Sequence, residues 1–580
     1  MKNSAKKHKG FMIAALVIFA FLYFLFFARF DLMAGDEGYF NIVSYRMIEG
    51  EVPYRDFFLH TPPVSYLLET GVFSVFGQDF IVGRVTTAIT GVLITILLFL
   101  VASRVSDVPF SLVPGLVFIF WGTSHIPYPS FNWHGLLVAL GVMLALFKFT
   151  DSGKRKFLVA VGILVGLLCL IKQNLGAAAI ISVAIYLWLY RPKKIDVFID
   201  YAFTGIGGVL AGFPIILYFY KNGALQSMLF YLFNFSSDTL KLRMELFPFP
   251  HLKPMTFFLL GLYLLLGYAL VRASFRKKYV LFFATISTIV LGTAFFYGFA
   301  TKNAVLYAND HIKEGIINGF FNLPAFCIIM ILFLLLSKAI KKVATSQRDL
   351  YLRFAVIFSI FYIWFGLIKS RDLLHLIPTM PIAYLFFGYL LAFAYNAYKA
   401  KLGQSMMLKT YYFIVPVIFF CLFGLYTNMN NETFKFSSTP LTEMNYSPAI
   451  ERAKHLIVEK KKGKDMEELV KYIDSHTRPN EKIFLFHIDS SFYILADRSP
   501  ATFHTFFIPD AFRSEDQERV IRELDGNKVR LVVCKKRIYD RWEAVGDAKK
   551  DWPTARIEKF LRTNFYVKKI MGLNYILMRK

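Results

Sequence analysis

Apolar segments long enough to cross a lipid bilayer recur along this chain of 580 residues. The first extends from Phe11 to about Phe30, and a transmembrane helix needs about 20 predominantly apolar residues. It follows the basic stretch "MKNSAKKHKG" and is longer than the apolar region of a secretory signal, so we predict a retained helix. Because 56% of all residues are hydrophobic, a single soluble core could not hold them. The sequence therefore predicts a polytopic α-helical membrane protein.

About thirteen such segments can be counted, with boundaries set by the apolar runs. They lie near residues 11–30, 81–101, 108–123, 133–150, 157–171, 175–190, 200–220, 255–272, 279–299, 317–337, 351–368, 376–396 and 409–427.

Lysine and arginine are concentrated in alternate loops, in the clusters "DSGKRK", "RPKK", "VRASFRKK", "KAIKK" and "AYKAK". Each cluster follows an even number of spans when the N-terminus is placed in the cytoplasm, as the positive-inside rule requires. An odd number of spans then places the residues after 428 outside the cytoplasm. Since these loops collect the net charge of +26, no basic face is left to bind nucleic acid.

The last part of the chain, residues 429–580, has a different pattern. "EKIFLFHI", "VRLVVCKK" and "YILMRK" are typical of strands, while "KDMEELVKYIDSH" and "SEDQERVIRELDG" are typical of amphipathic helices. We predict a membrane domain over 1–428 and an extracytoplasmic α/β domain over 429–580. The latter has no phosphate-binding loop and no metal-ligand spacing, so we expect a scaffold or a lid that binds the acceptor.

The first outer loop, residues 31–79, carries two adjacent acids. Asp36 and Glu37 follow the first span directly, in "AGDEGYF", and "NIVSYRMI" after them is amphipathic and could lie on the bilayer surface. A carboxylate at this interface can remove a proton from an attacking hydroxyl. Solvated loop ends are the alternative interpretation.

A second polar group follows in the same loop. Arg55, Asp56 and His60 lie in "PYRDFFLHTPPVSYL", which continues into a helix begun by two prolines. Asp56 and His60 are four residues apart, so they could share one helical face and bind a divalent cation. That metal site is an alternative to the prediction of no metal.

Three cations lie at the outer ends of predicted spans, where the charge bias disfavours them. Lys172 lies between two short spans whose other ends are basic, Arg84 begins the second span, and Arg371 lies near His375 in "KSRDLLHLIPTMP". A misplaced cation usually faces a cavity with a partner, and a lipid phosphate would be such a partner. A Lys172 side chain that extends to lipid headgroups is the alternative.

These residues resemble motifs of the polyprenyl-phosphate-sugar glycosyltransferases of the GT-C class, which includes protein O-mannosyltransferases and lipid A aminoarabinose transferases. The matching segments are "GDEGYF", "PYRDFFLHTPPVSYL", "GRVTTAI", "LIKQNLG", "RDLLHLIPTMP" and, in the tail, "EKIFLFHIDSSFYILADRSPAT". The resemblance covers most of the chain. One difference is Thr61, where many relatives have lysine before the paired prolines.

The resemblance implies an inverting sugar transfer in the plasma or inner membrane, on its outer face, either without a metal or assisted by one. Asp36 would be the base and Glu37 its neighbour. The partners would be a polyprenyl-phosphate sugar, membrane lipids, and an acceptor that is a glycan, a lipid or a protein. The residues implied in binding substrate or phosphate are Arg55, Asp56, His60, Arg84, Lys172, Gln173, Arg371 and His375.

Two other functions are open at this stage. A transporter or lipid flippase predicts internal repeats and charges near the bilayer midplane, whereas the unusual charges here cluster at one interface. A non-catalytic assembly factor would leave Asp36, Glu37 and Lys172 without a function.

Overall fold

A computed structural model describes most of the chain. The described residues are 2–32, 35–235, 327–328, 330–332, 334–335, 346–368, 373–399, 417–418, 420–422, 424–430, 439–487, 489–507, 512–513, 515–536, 538, 540 and 554–580. The predicted spans at 255–272 and 279–299, most of that at 317–337, half of that at 409–427, and Arg371 lie outside them.

The described residues before 400 are mostly helical. Six of the helices are long and apolar enough to cross a membrane, counted over the described residues alone. The helices are α1 (Lys2–Phe27), α2 (Asp36–Ile48), α3 (Val64–Phe76), α4 (Phe80–Val105), α5 (Val113–Trp121), α6 (Phe131–Ser152), α7 (Lys156–Ile171), α8 (Gln173–Tyr190), α9 (Lys194–Lys221), α10 (Leu225–Leu229), α11 (Gln347–Leu367), α12 (Leu373–Thr379) and α13 (Pro381–Lys399). The six candidate spans are Gly10–Phe27 within α1, and α4, α6, α8, α9 and α11.

One predicted span differs from the structure. The segment 376–396 is not a single helix, because α12 ends at Thr379 and α13 begins at Pro381. Proline has no backbone N–H to continue a helix, and its ring restricts the residue before it.

Helices α7 and α9 pack with very close backbones. A Cβ atom added at Gly162 would lie 1.9 Å from the carbonyl oxygen of Thr204, and one added at Gly207 would lie 2.1 Å from that of Val159. Small residues at such contacts let membrane helices approach closely. The outward face of α9 is apolar and exposed at Val209, as expected for a surface in contact with lipid.

The ion pairs at one end of the helix bundle join the basic loop residues to acids. Arg155 binds Asp196 and Asp200 at 2.9 Å, and Asp200 also accepts from Arg191 at 2.7 Å. Arg104 pairs with Asp151 at 2.6 Å there. This end lies opposite the start of α4 and the turn between α7 and α8.

Helix α2 does not lie on the bilayer surface. Its residues from Glu37 to Arg46 are all buried. The helix packs on α3 on one side and on the short helix Ser491–Leu495 of the C-terminal segment on the other.

In the C-terminal segment, a four-stranded sheet is formed, in spatial order, by β3 (Phe484–Phe486), β4 (Leu531–Lys535), β6 (Asn574–Arg579) and β5 (Phe565–Met571). Strands β3 and β4 are parallel, and the remaining pairs are antiparallel. Phe484 to Phe486 and the first four residues of β4 are fully buried, which agrees with apolar strands covered on both faces. The elements are β1 (Met444–Tyr446), β2 (Val458–Glu459), α14 (Lys460–His476), β3 (Phe484–Phe486), α15 (Ser491–Leu495), α16 (Asp516–Gly526), β4 (Leu531–Lys535), α17 (Ala555–Asn564), β5 (Phe565–Met571) and β6 (Asn574–Arg579).

The outer loop and the C-terminal segment share one hydrophobic core, which joins Phe40 and Tyr54 to Tyr493 and Leu531. Polar contacts reinforce it: the Phe58 amide donates to the Phe503 carbonyl at 3.0 Å. The division into two domains at residue 428 stays a prediction, and the outer loop, which the prediction assigns to the first domain, packs against the C-terminal segment.

Candidate functional site

The acid pair lies at the start of α2, and its two members have opposite surroundings. Asp36 is exposed, whereas Glu37 is fully buried. Arg84 holds Glu37 in a bidentate ion pair, with Nε to Oε1 at 2.6 Å and Nη2 to Oε2 at 2.7 Å. Arg84 also donates through Nη1 to the carbonyls of Ala28 at 3.1 Å and Phe30 at 2.9 Å. The pair therefore ties the end of α1 and the starts of α2 and α4 together, and leaves Asp36 as the accessible acid.

The segment from Tyr128 to His134, at the start of α6, contacts several of these charged groups. Ser130 caps the helix by accepting from the Asn132 amide at 3.2 Å, so the first turn begins at Phe131. The Tyr128 hydroxyl hydrogen-bonds Asp36. Burial raises the pKa of Tyr128 well above its usual value, and the negative charges of Asp36 and Glu37 raise it further. Tyr128 is thus a neutral donor to the Asp36 carboxylate.

Lys172 lies at the extended turn between α7 and α8. Its Nζ donates to Asn132 Oδ1 at 2.7 Å and lies 5.1 Å from the centre of the Phe131 ring. The acceptor at this contact is the neutral amide oxygen of Asn132, so the charge in this hydrogen bond lies on the lysine side. Lys172 therefore contacts the start of α6, the same segment that supplies Tyr128 to Asp36.

A buried acid and a histidine lie deeper in the same region. Glu69 of α3 is fully buried, with Oε1 3.4 Å from His134 Nε2. Neither oxygen of Glu69 makes a hydrogen bond within the described part of the chain. A carboxylate so enclosed depends on a charged or polar neighbour, and His134 is such a neighbour.

The Arg55 and Asp56 side chains pair with each other at 2.8 Å. The hydrogen bond from Arg55 lowers the pKa of Asp56, and Asp56 Oδ2 also accepts from the Val52 amide at 2.7 Å. His60 stacks on Phe58 with ring centres 5.5 Å apart. Among the described residues, no group of three or more His, Cys, Asp or Glu is placed to hold a metal ion. The alternative prediction, a divalent cation bound by Asp56 and His60, therefore has no third His, Cys, Asp or Glu ligand among these residues.

Two further predicted site residues, Gln173 and His375, lie near the same end of the bundle. Gln173 donates to the Leu232 carbonyl at 2.8 Å, and the next residue, Asn174, donates to that of Phe365 at the end of α11. His375 lies in α12, which follows α11. Arg371 lies outside the described residues.

Sequence reasoning missed Tyr128, Asn132, Glu69, His134 and Asp489. Asp489 belongs to the C-terminal segment, and its Oδ1 accepts from the Gly35 amide at 3.1 Å. The loop "SHIPYPSFNWH" is rich in polar and aromatic residues between two spans, which is a signal that could have found three of the five.

No protein-family model matches the sequence, and a search of curated proteins found no significant relative. Solved structures do match it. ArnT from Cupriavidus metallidurans bound to undecaprenyl phosphate has 14% identity and a TM-score of 0.54, over 98% of each chain. Oligosaccharyltransferase AglB from Archaeoglobus fulgidus, in complex with an inhibitory peptide and a dolichol-phosphate, has 11% identity and a TM-score of 0.53. That match covers 98% of this chain and 74% of AglB.

Both are GT-C glycosyltransferases. This chain has the GT-C fold. With the six candidate spans, the fold makes it an integral membrane protein built like these membrane enzymes. At this level of identity the likeness concerns architecture, and what the site does is argued next.

Proposed function

We propose that this chain is a membrane glycosyltransferase that moves a sugar from a polyprenyl-phosphate donor to an acceptor hydroxyl, with inversion at the anomeric carbon. The proposal depends on one observation. The exposed carboxylate of Asp36 and the cation Lys172 both contact residues at the start of α6. Tyr128 and Asn132, two positions before and two positions after the helix cap Ser130, contact one of these groups each.

Asp36 has the role of general base. It removes the proton from the acceptor hydroxyl while the hydroxyl oxygen bonds to the anomeric carbon and the bond from that carbon to the phosphate oxygen breaks. The lipid phosphate leaves with the electron pair of the broken bond. Tyr128 orients the carboxylate by donating to it.

Lys172 has the role of stabilising the phosphate as negative charge builds on the leaving oxygen. Arg84 would not share this task in the arrangement described, because it is fully buried and donates to Glu37 and to two carbonyls. We therefore propose that Arg84 and Glu37 fix the start of α2, and that phosphate contacts come from Lys172, with Gln173, His375 and Arg371 as further candidates.

The proposed orientation places this site outside the cytoplasm, in the plasma or inner membrane. The basic residues Arg155 and Arg191 lie at the opposite end of the bundle, as positive-inside topology requires for a cytoplasmic end. The donor and acceptor would then meet at the outer interface, with the C-terminal segment above them.

The test is a transfer assay with the purified full chain, radiolabelled polyprenyl-phosphate sugars and candidate acceptors of the glycan, lipid and protein classes. Asp36→Asn should reduce transfer about 10²- to 10⁴-fold, the usual contribution of a general base. Asp107→Asn is the matched control, since that exposed acid pairs with Arg348 at the other end of the bundle.

Transfer that is unaffected by Asp36→Asn would refute the assignment of the base. Labelled lipid that crosses vesicle membranes without any transfer would support a flippase instead.

A further inference from the structure

The helix that carries Asp36 has no cap of its own. Gly35 precedes it with φ 99°, a conformation that favours glycine, and glycine has no side chain to accept from the first helical amides. In the usual capping box, an acid of the same helix accepts from the backbone N–H of the capping residue. Here that acceptor comes from a segment 454 positions away, because Asp489 Oδ1 binds the Gly35 amide at 3.1 Å.

The Asp489 carboxylate is itself held in place. Its Oδ1 accepts from the Ser491 amide at 2.9 Å and from the Ser491 hydroxyl at 2.6 Å. Asp489 lies between strand β3 and helix α15, and most residues of these two elements are buried. The cap therefore comes from a fixed carboxylate on a folded scaffold.

Gly38 shows how closely the two segments approach. A Cβ atom added at Gly38 would lie 2.4 Å from Asp489 Oδ1 and 2.5 Å from the Ser491 amide nitrogen. Both distances are far inside van der Waals contact, and the second atom is backbone that cannot rotate away. Glycine at this position of "GDEGYF" is therefore explained by the docking of the C-terminal segment onto the first turn of α2.

Other contacts hold the same two surfaces together. Arg46 of α2 donates through Nη1 to the Thr502 carbonyl at 3.0 Å, and its side chain is almost fully enclosed. Lys462 of α14 donates to Asp31 at 2.6 Å, just before the loop that enters α2. The capping contact is thus one part of a continuous interface.

We infer that Asp489 is a positioning residue that caps α2 from the C-terminal segment and so fixes the place of the Asp36 carboxylate. The inference rests on the proposed function for its catalytic consequence, and on geometry alone for the cap. It gives the C-terminal segment a defined part in the site: it completes the first turn of the helix that carries the base.

The experiment compares Asp489→Ala with Asp489→Asn in the full chain. Alanine removes the acceptor, and loss of a cap of about 1 kcal/mol should increase hydrogen exchange of the amides of residues 35–39 about fivefold. A misplaced base should lower kcat about tenfold or more while the donor KM stays within about twofold. Asparagine keeps an oxygen acceptor in the same place, so Asp489→Asn should stay within about threefold of wild type in both measurements.

Gly38→Ala is a second variant, which pushes the two segments apart and should reproduce the effect of Asp489→Ala. Asp525→Ala is the control, because that exposed acid pairs with Arg579 elsewhere on the C-terminal segment. It should change neither exchange nor kcat.

Unchanged exchange at residues 35–39 in Asp489→Ala would overturn the cap. An Asn variant as impaired as the Ala variant would show that the charge matters and not the acceptor, and would also overturn it. If wild type transfers no sugar but exchange rises as expected, the proposed function fails while the cap stands.

Discussion

Glu37 and Arg84 form a bidentate ion pair in which both side chains are fully buried, 47 residues apart in sequence. Burying two charges costs several kcal/mol, which their attraction and further hydrogen bonds must offset. The carbonyls of Ala28 and Phe30 supply those bonds to Arg84. The pair therefore fixes where three chain segments meet, directly beside Asp36.

Removing one partner of this pair should destabilise the protein strongly. Arg84→Met leaves the Glu37 carboxylate buried without its cation, with an expected loss of about 3–5 kcal/mol in the free energy of unfolding. Arg348→Met is the control, since its pair with Asp107 is more than half exposed and should contribute about 1 kcal/mol or less. Thermal unfolding in one detergent would measure both. Equal shifts in the two variants would contradict the prediction.

The Glu69–His134 pair should show coupling of the same kind. His134→Phe leaves Glu69 buried without its neighbour, so it should destabilise the chain more than Glu69→Leu does. The double variant should recover part of the loss, with an interaction energy of about 0.5–3 kcal/mol in a double-mutant cycle. Strictly additive effects would show that the two side chains do not depend on each other.

Replacing Lys172 should weaken stabilisation of the donor phosphate as it departs. A hydrogen bond to a charged group contributes about 1.5–3 kcal/mol, so Lys172→Met should lower kcat/KM for the polyprenyl-phosphate sugar about tenfold or more. Lys194→Met is the control, because Lys194 is exposed at the other end of the bundle and packs on Trp188. A kcat/KM for the donor that is unchanged by Lys172→Met would remove this lysine from the proposed site.

Acid should destabilise the C-terminal segment through His504. Burial lowers the pKa of His504 from 6.5 to about 3, so between these values the unfolded chain binds a proton that the folded chain excludes. The stabilising contribution of neutral His504 is therefore fully present above pH 6.5. The free energy of unfolding falls as the pH decreases, by about 2 kcal/mol at pH 5. Burial also raises the pKa of the neighbouring Asp516, which opposes this loss at lower pH.

The measurement is thermal unfolding of the full chain at pH 7.5 and pH 5.0. His504→Phe should lose much of the pH dependence, since phenylalanine fits among Phe58, Phe503 and Phe512 and does not titrate. A variant with the same pH dependence as wild type would assign the effect to other groups.

Cysteine labelling tests the proposed orientation. In a background without the four native cysteines, Lys154→Cys should react with an impermeant maleimide only from the cytoplasmic side, and Glu451→Cys only from outside. Both positions are exposed and lie at opposite ends of the bundle. The reverse pattern would place Asp36 in the cytoplasm and refute the proposed site of transfer.

Much of the fold was predictable because the signals are local. Apolar length identified the spans that became α4, α6 and α8, and the buried runs around Phe484 and Val532 identified two strands of the sheet. The break between α12 and α13 was missed, although Pro378 and Pro381 in "HLIPTMP" signalled it.

The site was only partly predictable because its contacts are not local. Charge bias indicated that Arg84 and Lys172 are unusual, but it could not indicate that Arg84 is paired with Glu37. Pairing depends on which helix starts meet in the fold, which a single sequence does not specify. For the same reason Asp489 could not be connected with Gly35 before the fold was known.

The distance in sequence between Gly35 and Asp489 has a consequence for biosynthesis. Since translation proceeds from the N-terminus, the first helix of the outer loop waits for about 450 further residues before its cap exists. In the proposed orientation, every intervening span must be inserted and the C-terminal segment exported before the two surfaces meet. A nascent chain that does not yet include Asp489 would therefore lack the contact that fixes the start of α2, and by our proposal its transfer would be slow.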